Sequence, residues 1–234
     1  TYRNKGEERY VAGKKILTHY GIEQAERERS ILAQVDHIHV VRFLGSYFDQ
    51  RTSEFCVYTG YVPGGTLASC QLLEADVKVL IRQVLDGLIF LHRQNIVQRD
   101  IKGSNLFITV DGCVKFGDLG CATVIDLTRK LLSRSATPCF MSPELLFTDH
   151  YDEKTDIWSL GMVIIELLKQ RHPWARNKPA RIVVMMHERD QHLPTLLRGI
   201  TSESIKSILG KIFVDQGARP SALQLVNDKW FSIA

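Results

Sequence analysis

The sequence predicts an α+β fold in which a small β-rich lobe with one helix precedes a larger, mainly helical lobe, leaving a cleft between them. Three observations carry this. Strand-like segments dominate the chain up to Tyr61, with one helix among them. Val62-Pro63-Gly64-Gly65 then breaks the pattern, as a linker would. Beyond it, apolar residues recur mostly at helical spacing. The expected division is 1–61, a linker at 62–65, and 66–234.

Tyr2 to Leu17 reads as a hairpin turning near Lys5-Gly6, with Arg9 to Leu17 as its second strand. Glu23 to Val35 is rich in helix formers and carries Ala25, Ile31, Leu32 and Val35 as an apolar stripe. Val40 to Phe48 and Phe55 to Tyr61 read as strands around a polar turn at Asp49 to Ser53. In Asp76 to Arg93, Val77, Leu80, Ile81, Val84, Leu88 and Leu91 fall on one helical face. Asp156 to Leu168 is apolar nearly all round, which predicts a buried central helix. Two further helices are expected near Ser202 to Phe213 and Ser221 to Phe231.

At 234 residues, 44% hydrophobic and 24% charged, the composition excludes disordered and fibrous classes. A net charge of +4, spread rather than clustered, gives no support to nucleic-acid binding. The apolar run around Met162 to Leu168 is too short to span a bilayer, and no signal peptide is visible. Five cysteines without a paired spacing predict free thiols in a reducing compartment, cytoplasm or nucleus. The chain begins at Thr1 without Met, inside a strand-like segment, which suggests a piece of something longer.

Chemistry concentrates between Gln98 and Asp118. Leu106 to Val110 and Cys113 to Gly117 read as strands joined by a two-residue Asp111-Gly112 turn. Pairing Val110 with Cys113 places Asn105 opposite Asp118, roughly 5 Å apart at Cβ. An amide oxygen beside a carboxylate, with Asp100 and Lys102 upstream, is a hard-oxygen set suited to Mg²⁺ and phosphate.

Val11-Ala12-Gly13-Lys14, Gln98-Arg99-Asp100-Ile101-Lys102 with Asn105, Asp118-Leu119-Gly120, Ser142-Pro143-Glu144 and Asp156-Ile157-Trp158-Ser159-Leu160-Gly161 occur in that order. Together they resemble the signature set of eukaryotic protein kinase catalytic domains, from Tyr2 to Phe231. The resemblance implies the two-lobed kinase fold, with ATP and Mg²⁺ as cofactors. Lys14 would hold the α- and β-phosphates and pair with Glu28, chosen by counting back from His37. Asp100 would accept the substrate hydroxyl proton, Lys102 would steady the transferred phosphoryl group, and Asn105 and Asp118 would bind Mg²⁺. Thr59 would be the gatekeeper. The Gly60 carbonyl and Val62 amide would bond the adenine edge, between Ala12 and Phe107.

Lys102 and Thr137-Pro138 resemble Ser/Thr kinases, with Thr137 in reach of Asp100 and Lys102. Lys-Gly-Ser-Asn, with Pro138 and Met141, resembles the Ste-type group, which includes kinases atop mitogen-activated cascades. The activation segment would run over 118–144, with Ser133 as activating phosphosite, Ser135 and Thr128 as competitors, and Arg99 as its partner. Glu144 would form a structural ion pair with Arg219, and Asp156 is a further structural residue. The implied partners are a protein substrate, such as a downstream kinase, and an upstream activating kinase unless activation is by autophosphorylation.

The sequence also departs from the family pattern. No Gly-rich phosphate loop is present, Gln98 stands where the family has His, and Leu119 where it has Phe. Gln98 and Leu119 would stack with Leu32 in a buried column, where an unpaired amide costs about 1–3 kcal/mol. Gly13 weakens its strand, and Lys14 and Glu28 are closer in sequence than is usual. These departures keep a pseudokinase or scaffold open as the alternative. A small-molecule kinase fits poorly with Ser142-Pro143-Glu144 and the long activation segment. Cys121 would lie near the nucleotide cleft.

Overall fold

A computed structural model describes residues 2–4, 7–17, 22–125, 137–148, 151–171, 174, 177–178, 181–182, 185 and 196–232. Strands β1 (Tyr2–Asn4) and β2 (Glu7–Arg9) form an antiparallel hairpin, Tyr2 opposite Arg9. The second strand is not continuous to Leu17, as the sequence suggested. It breaks at Tyr10, because β2 pairs with β1 while β3 (Val11–Leu17) pairs with a different sheet. In that sheet the order is β3-β5-β4, with β4 at Phe43–Asp49 and β5 at Glu54–Gly60. Helix α1 (Ile22–Gln34) packs on it through Ala25, Ile31 and Leu32. Asp49 Oδ1 accepts the Arg51 N–H and sets the β4–β5 turn.

The Pro63-Gly64 turn leads into the helical part of the chain. Gly64 lies so close to strand β7 (Leu106–Ile108) that an added Cβ would stand 2.2 Å from the Ile108 carbonyl oxygen. The Ile108 N–H donates to the Gly65 carbonyl at 3.0 Å, and Thr66 bridges to Phe107. Helix α2 (Glu74–Arg93) starts where Asp76 accepts the Leu73 N–H, an acidic side chain at the positive end of the helix. Its apolar face, Val77, Leu80, Ile81, Val84, Leu88 and Leu91, is buried as the spacing predicts. Short β6 (Ile96–Val97) pairs with β9 (Thr123–Val124).

Strands β7 (Leu106–Ile108) and β8 (Val114–Phe116) form the hairpin that carries Asn105, but one residue out of the expected register. Leu106 faces Phe116 and Ile108 faces Val114. Asn105 therefore lies opposite Gly117, whose N–H it accepts at 2.9 Å, and not opposite Asp118. The connection is a three-residue loop, Val110 to Gly112, closed by Thr109 N–H to the Cys113 carbonyl and by Cys113 N–H to the Thr109 hydroxyl. Gly112 takes a left-handed φ of 82°, the geometry of a three-residue turn with a bulge.

Helices α3 (Pro143–Phe147), α4 (Lys154–Lys169) and α5 (Glu203–Ile212) follow. Ser142 and Ser202 cap α3 and α5 by accepting N–H groups three residues on. α4 is buried on every side and forms the axis of the core, including the polar Asp156 and Ser159. The single helix expected over Ser221 to Phe231 is two, α6 (Ala222–Leu225) and α7 (Lys229–Ser232). Asp228 divides them: it accepts the Trp230 N–H and the Lys211 ammonium, so the backbone gains a side-chain partner in place of a helical one. Among the described residues no helix is long and apolar enough to cross a membrane.

Candidate active site

The site is assembled on a carboxylate inside α4. Asp156 is fully buried, and its oxygens accept the N–H groups of Gln98 (2.9 Å) and Arg99 (2.8 Å) and the His92 ring nitrogen (2.9 Å). Arg99 holds a left-handed φ of 65°, which a non-glycine residue adopts only when its surroundings fix it. Its guanidinium donates to the Cys121 carbonyl and to the Tyr151 hydroxyl.

The next residue, Asp100, is 8% exposed and its carboxylate is ringed by donors. Oδ1 accepts the Thr137 N–H (3.0 Å) and hydroxyl (2.8 Å). Oδ2 accepts the Asn105 amide (2.9 Å) and lies 2.9 Å from the Lys102 ammonium. The Lys102 Nζ also reaches the Thr137 hydroxyl at 2.6 Å. One aliphatic hydroxyl thus sits between a carboxylate and an ammonium.

Above this floor, Lys14 on β3 meets two carboxylates: Glu28 of α1 at 2.9 Å and Asp118 at 2.8 Å. Asp118 Oδ1 also accepts the Gly120 N–H at 2.8 Å. Burial pulls the Lys14 ammonium down, but Glu28 and Asp118 outweigh it and hold it above its ordinary value. For Asp118, burial works upward, yet Lys14 and the Gly120 N–H prevail and keep the carboxyl below its usual range. Glu28 is pushed up by burial, which outweighs Lys14 and is reinforced by the nearby Asp118 charge.

These groups line a cavity of about 240 Å³, together with Ala12, Thr59, Asn105 and Phe107. The Phe107 ring lies where a Gly117 side chain would be, 1.8 Å from the ideal Cβ position, so only glycine leaves room for that ring. The donor set fits Mg²⁺ and phosphate. Asn105 spends its N–H₂ on Asp100, which leaves its side-chain oxygen as the atom that would face a metal ion, in the cavity that Asp118 also lines. Among the described residues no three His, Cys, Asp or Glu groups converge into a metal cage. A divalent ion here would complete its oxygen shell with phosphate and water, which is typical of Mg²⁺.

The family model for the protein kinase domain matches residues 1–231. The chain belongs to the protein kinase family. It is 31% identical over 220 residues to MAP kinase kinase kinase mkh1 of Schizosaccharomyces pombe, covering 88% of this chain and 19% of that protein. To human mitogen-activated protein kinase kinase kinase 3 it is 31% identical over 216 residues, covering 88% and 34% respectively. To the serine/threonine-protein kinase STE11 of Saccharomyces cerevisiae it is 31% identical over 219 residues, covering 89% and 30%. The chain therefore spans between about a fifth and a third of the length of these three relatives.

Within the kinase domain, Gly60 and Val62 do not line the cavity, although Thr59 beside them does. Cys121 does not line it either. Glu144 and Arg219 meet as a buried pair, Nη2 to Oε2 at 3.2 Å. Ser133, Ser135 and Thr128 lie outside the described residues. Gln98, the residue least expected at its place, is fully buried, and both its side-chain nitrogen and its side-chain oxygen have hydrogen-bond partners. Its Nε2 donates to the Asp118 carbonyl at 2.8 Å and its Oε1 accepts the Asp100 N–H at 2.6 Å. A carbonyl needs a donor and an N–H needs an acceptor, so the amide has one possible orientation. Sequence reasoning missed His92, which carries no pattern of its own, and Glu166, whose signal was a carboxylate within the apolar stretch from Leu160 to Leu168.

Proposed function

We propose that this kinase domain transfers the γ-phosphate of ATP to serine or threonine hydroxyls of protein substrates. The observation that carries the reading is the Thr137 hydroxyl held between Asp100 and Lys102. A substrate hydroxyl in an equivalent place would give its proton to Asp100 as its oxygen forms the new bond to phosphorus. The bond from phosphorus to the β-phosphate oxygen would break, with ADP as the leaving group, and Lys102 would offset charge on the transferred group. Mg²⁺ bound by Asn105 and Asp118 would neutralise phosphate charge. Lys14, held cationic, would exchange Asp118 for phosphate oxygens, and Glu28 would keep it in position. The Gly60 carbonyl and Val62 amide would bond adenine, with Ala12 and Phe107 on its faces.

Each Asp100 oxygen now faces two donors, Thr137 on Oδ1 and Asn105 and Lys102 on Oδ2, so the substrate hydroxyl would replace one of them. The names of the relatives support a place within a mitogen-activated cascade, with another kinase as substrate and an upstream kinase as activator. The free cysteines support a reducing compartment, cytoplasm or nucleus. The paired state of Gln98 removes one motive for the scaffold reading.

The test is phosphate transfer from Mg·ATP to a generic protein acceptor by the full-length protein. Asp100→Asn should lower turnover at least a hundredfold or so, the usual weight of a positioned base. Wild-type turnover no higher than that of Asp100→Asn would overturn the enzyme reading, and Mg·ATP binding without turnover would leave a scaffold.

A further inference from the structure

Near the C-terminal end of α4, Glu166 interrupts the apolar stretch from Leu160 to Leu168 and its carboxylate accepts the Gly103 N–H at 3.0 Å. Gly103 opens the single turn Gly103–Asn105, and the first N–H groups of such a turn have no partner within it. Glu166 supplies one. Gly103 is itself buried: a Cβ would stand 2.6 Å from Glu166 Oε2 and 3.0 Å from the Ala68 nitrogen. The glycine is thus closed in from two sides by a carboxylate and by the backbone of the Leu67–Ser69 turn.

On one flank of Gly103 is Lys102, whose ammonium reaches Asp100 and Thr137. On the other, two residues on, is Asn105, whose amide reaches Asp100 and whose carbonyl oxygen belongs to the metal-binding pair. Both long side chains leave a turn whose entry is held by a single charged acceptor. Burial pushes the Glu166 carboxyl up, opposed by the Gly103 N–H and by Lys102. The Cys139 thiol also feels this charge.

We infer that Glu166 is a positioning residue for phosphotransfer: through the Gly103 N–H it fixes the turn from which Lys102 and Asn105 reach Asp100. The inference rests on the kinase reading of Asp100. Glu166 does not line the nucleotide cavity and reaches it only through Asn105, so its loss should act on turnover more than on nucleotide affinity. Losing a buried hydrogen bond to a charged acceptor corresponds to roughly ten- to a hundredfold in rate when the turn it holds loosens.

In the full-length protein, Glu166→Leu should lower kcat by roughly ten- to a hundredfold and leave KM for ATP within about twofold. Glu166→Gln retains an amide oxygen as acceptor and should restore most of kcat. Unchanged kcat in Glu166→Leu, or a Glu166→Gln as damaged as the leucine variant, would overturn the inference. A second readout does not depend on turnover or on the leucine variant folding. The Gly103 amide proton shift, followed by ¹⁵N-resolved NMR, should track a carboxyl titrating above its ordinary range and lose that titration in Glu166→Gln. A Gly103 shift that ignores pH, or that titrates equally in both proteins, would refute the contact. A wild type no more active than Asp100→Asn would instead remove the kinase reading and leave this contact standing.

Discussion

Replacing Arg219 with alanine should destabilise the domain by about 3–5 kcal/mol, because it leaves the buried Glu144 charge without a partner. Arg219 is 1% exposed, and each of its five N–H donors is used. Nε bonds the Ile212 carbonyl, Nη1 the Glu144 carboxylate and the Lys154 carbonyl, and Nη2 the same carboxylate and the Val214 carbonyl. Its guanidinium also stacks 5.0 Å from the Trp158 ring centre. One side chain therefore joins α3, α4 and the segment after α5. Arg219→Lys keeps the charge but cannot reproduce a planar fork, so it should still lose about 2 kcal/mol or more. Denaturant melts of both variants measure this; a loss under about 1 kcal/mol for alanine would show that the surroundings relax around the gap.

Gln98→Leu should lower turnover by roughly ten- to a hundredfold and stability by about 2–5 kcal/mol, since it orphans two buried backbone groups at about 1–3 kcal/mol each. Those groups are the Asp100 N–H and the Asp118 carbonyl. One amide links the residue that would take the proton to the residue that would hold the metal, across 18 positions of sequence. Gln98→His can restore one donor and one acceptor, but only as the neutral ring. It should recover activity at neutral pH and lose it as the imidazole protonates, while the wild type shows no such step. Steady-state kcat across pH, with thermal melts, decides the matter: full activity in the leucine variant would mean the amide supports nothing at the site.

The helices were legible wherever burial imposes a period. The α2 stripe and the all-round burial of α4 follow from the spacing of Leu, Ile and Val. The β7–β8 register was not legible, since alternation has the same period in either register. What chose it was the Thr109 hydroxyl and the left-handed Gly112, neither of which alternation can reveal. The slip moved Asn105 opposite Gly117, yet Asn105 and Asp118 still line one cavity because Asn105 turns its amide toward Asp100. The division at Asp228 was hidden for a similar reason, as the side chain that ends one helix and starts the next answers to Lys211 on another element. Motif order carried the Lys14–Glu28 and Glu144–Arg219 contacts. It also raised a doubt over Gln98 that only its two hydrogen-bond partners could remove.

The stitching of Gly64 and Gly65 to β7 has a mechanical consequence. Gly60 is tied to the sheet by its N–H to the Arg42 carbonyl, and from Gly64 onward the chain is tied to the hairpin that carries Asn105. Pro63 has a fixed φ. Where the chain crosses from the sheet into the helical part, rocking of one against the other would bend it at Tyr61 and Val62, a pivot of two residues. Val62 is also where adenine would be gripped, so opening the cleft and loosening the nucleotide become a single movement. Amide hydrogen exchange faster at Tyr61 and Val62 than at Ile108 would show the pivot there, and equal rates would place it elsewhere.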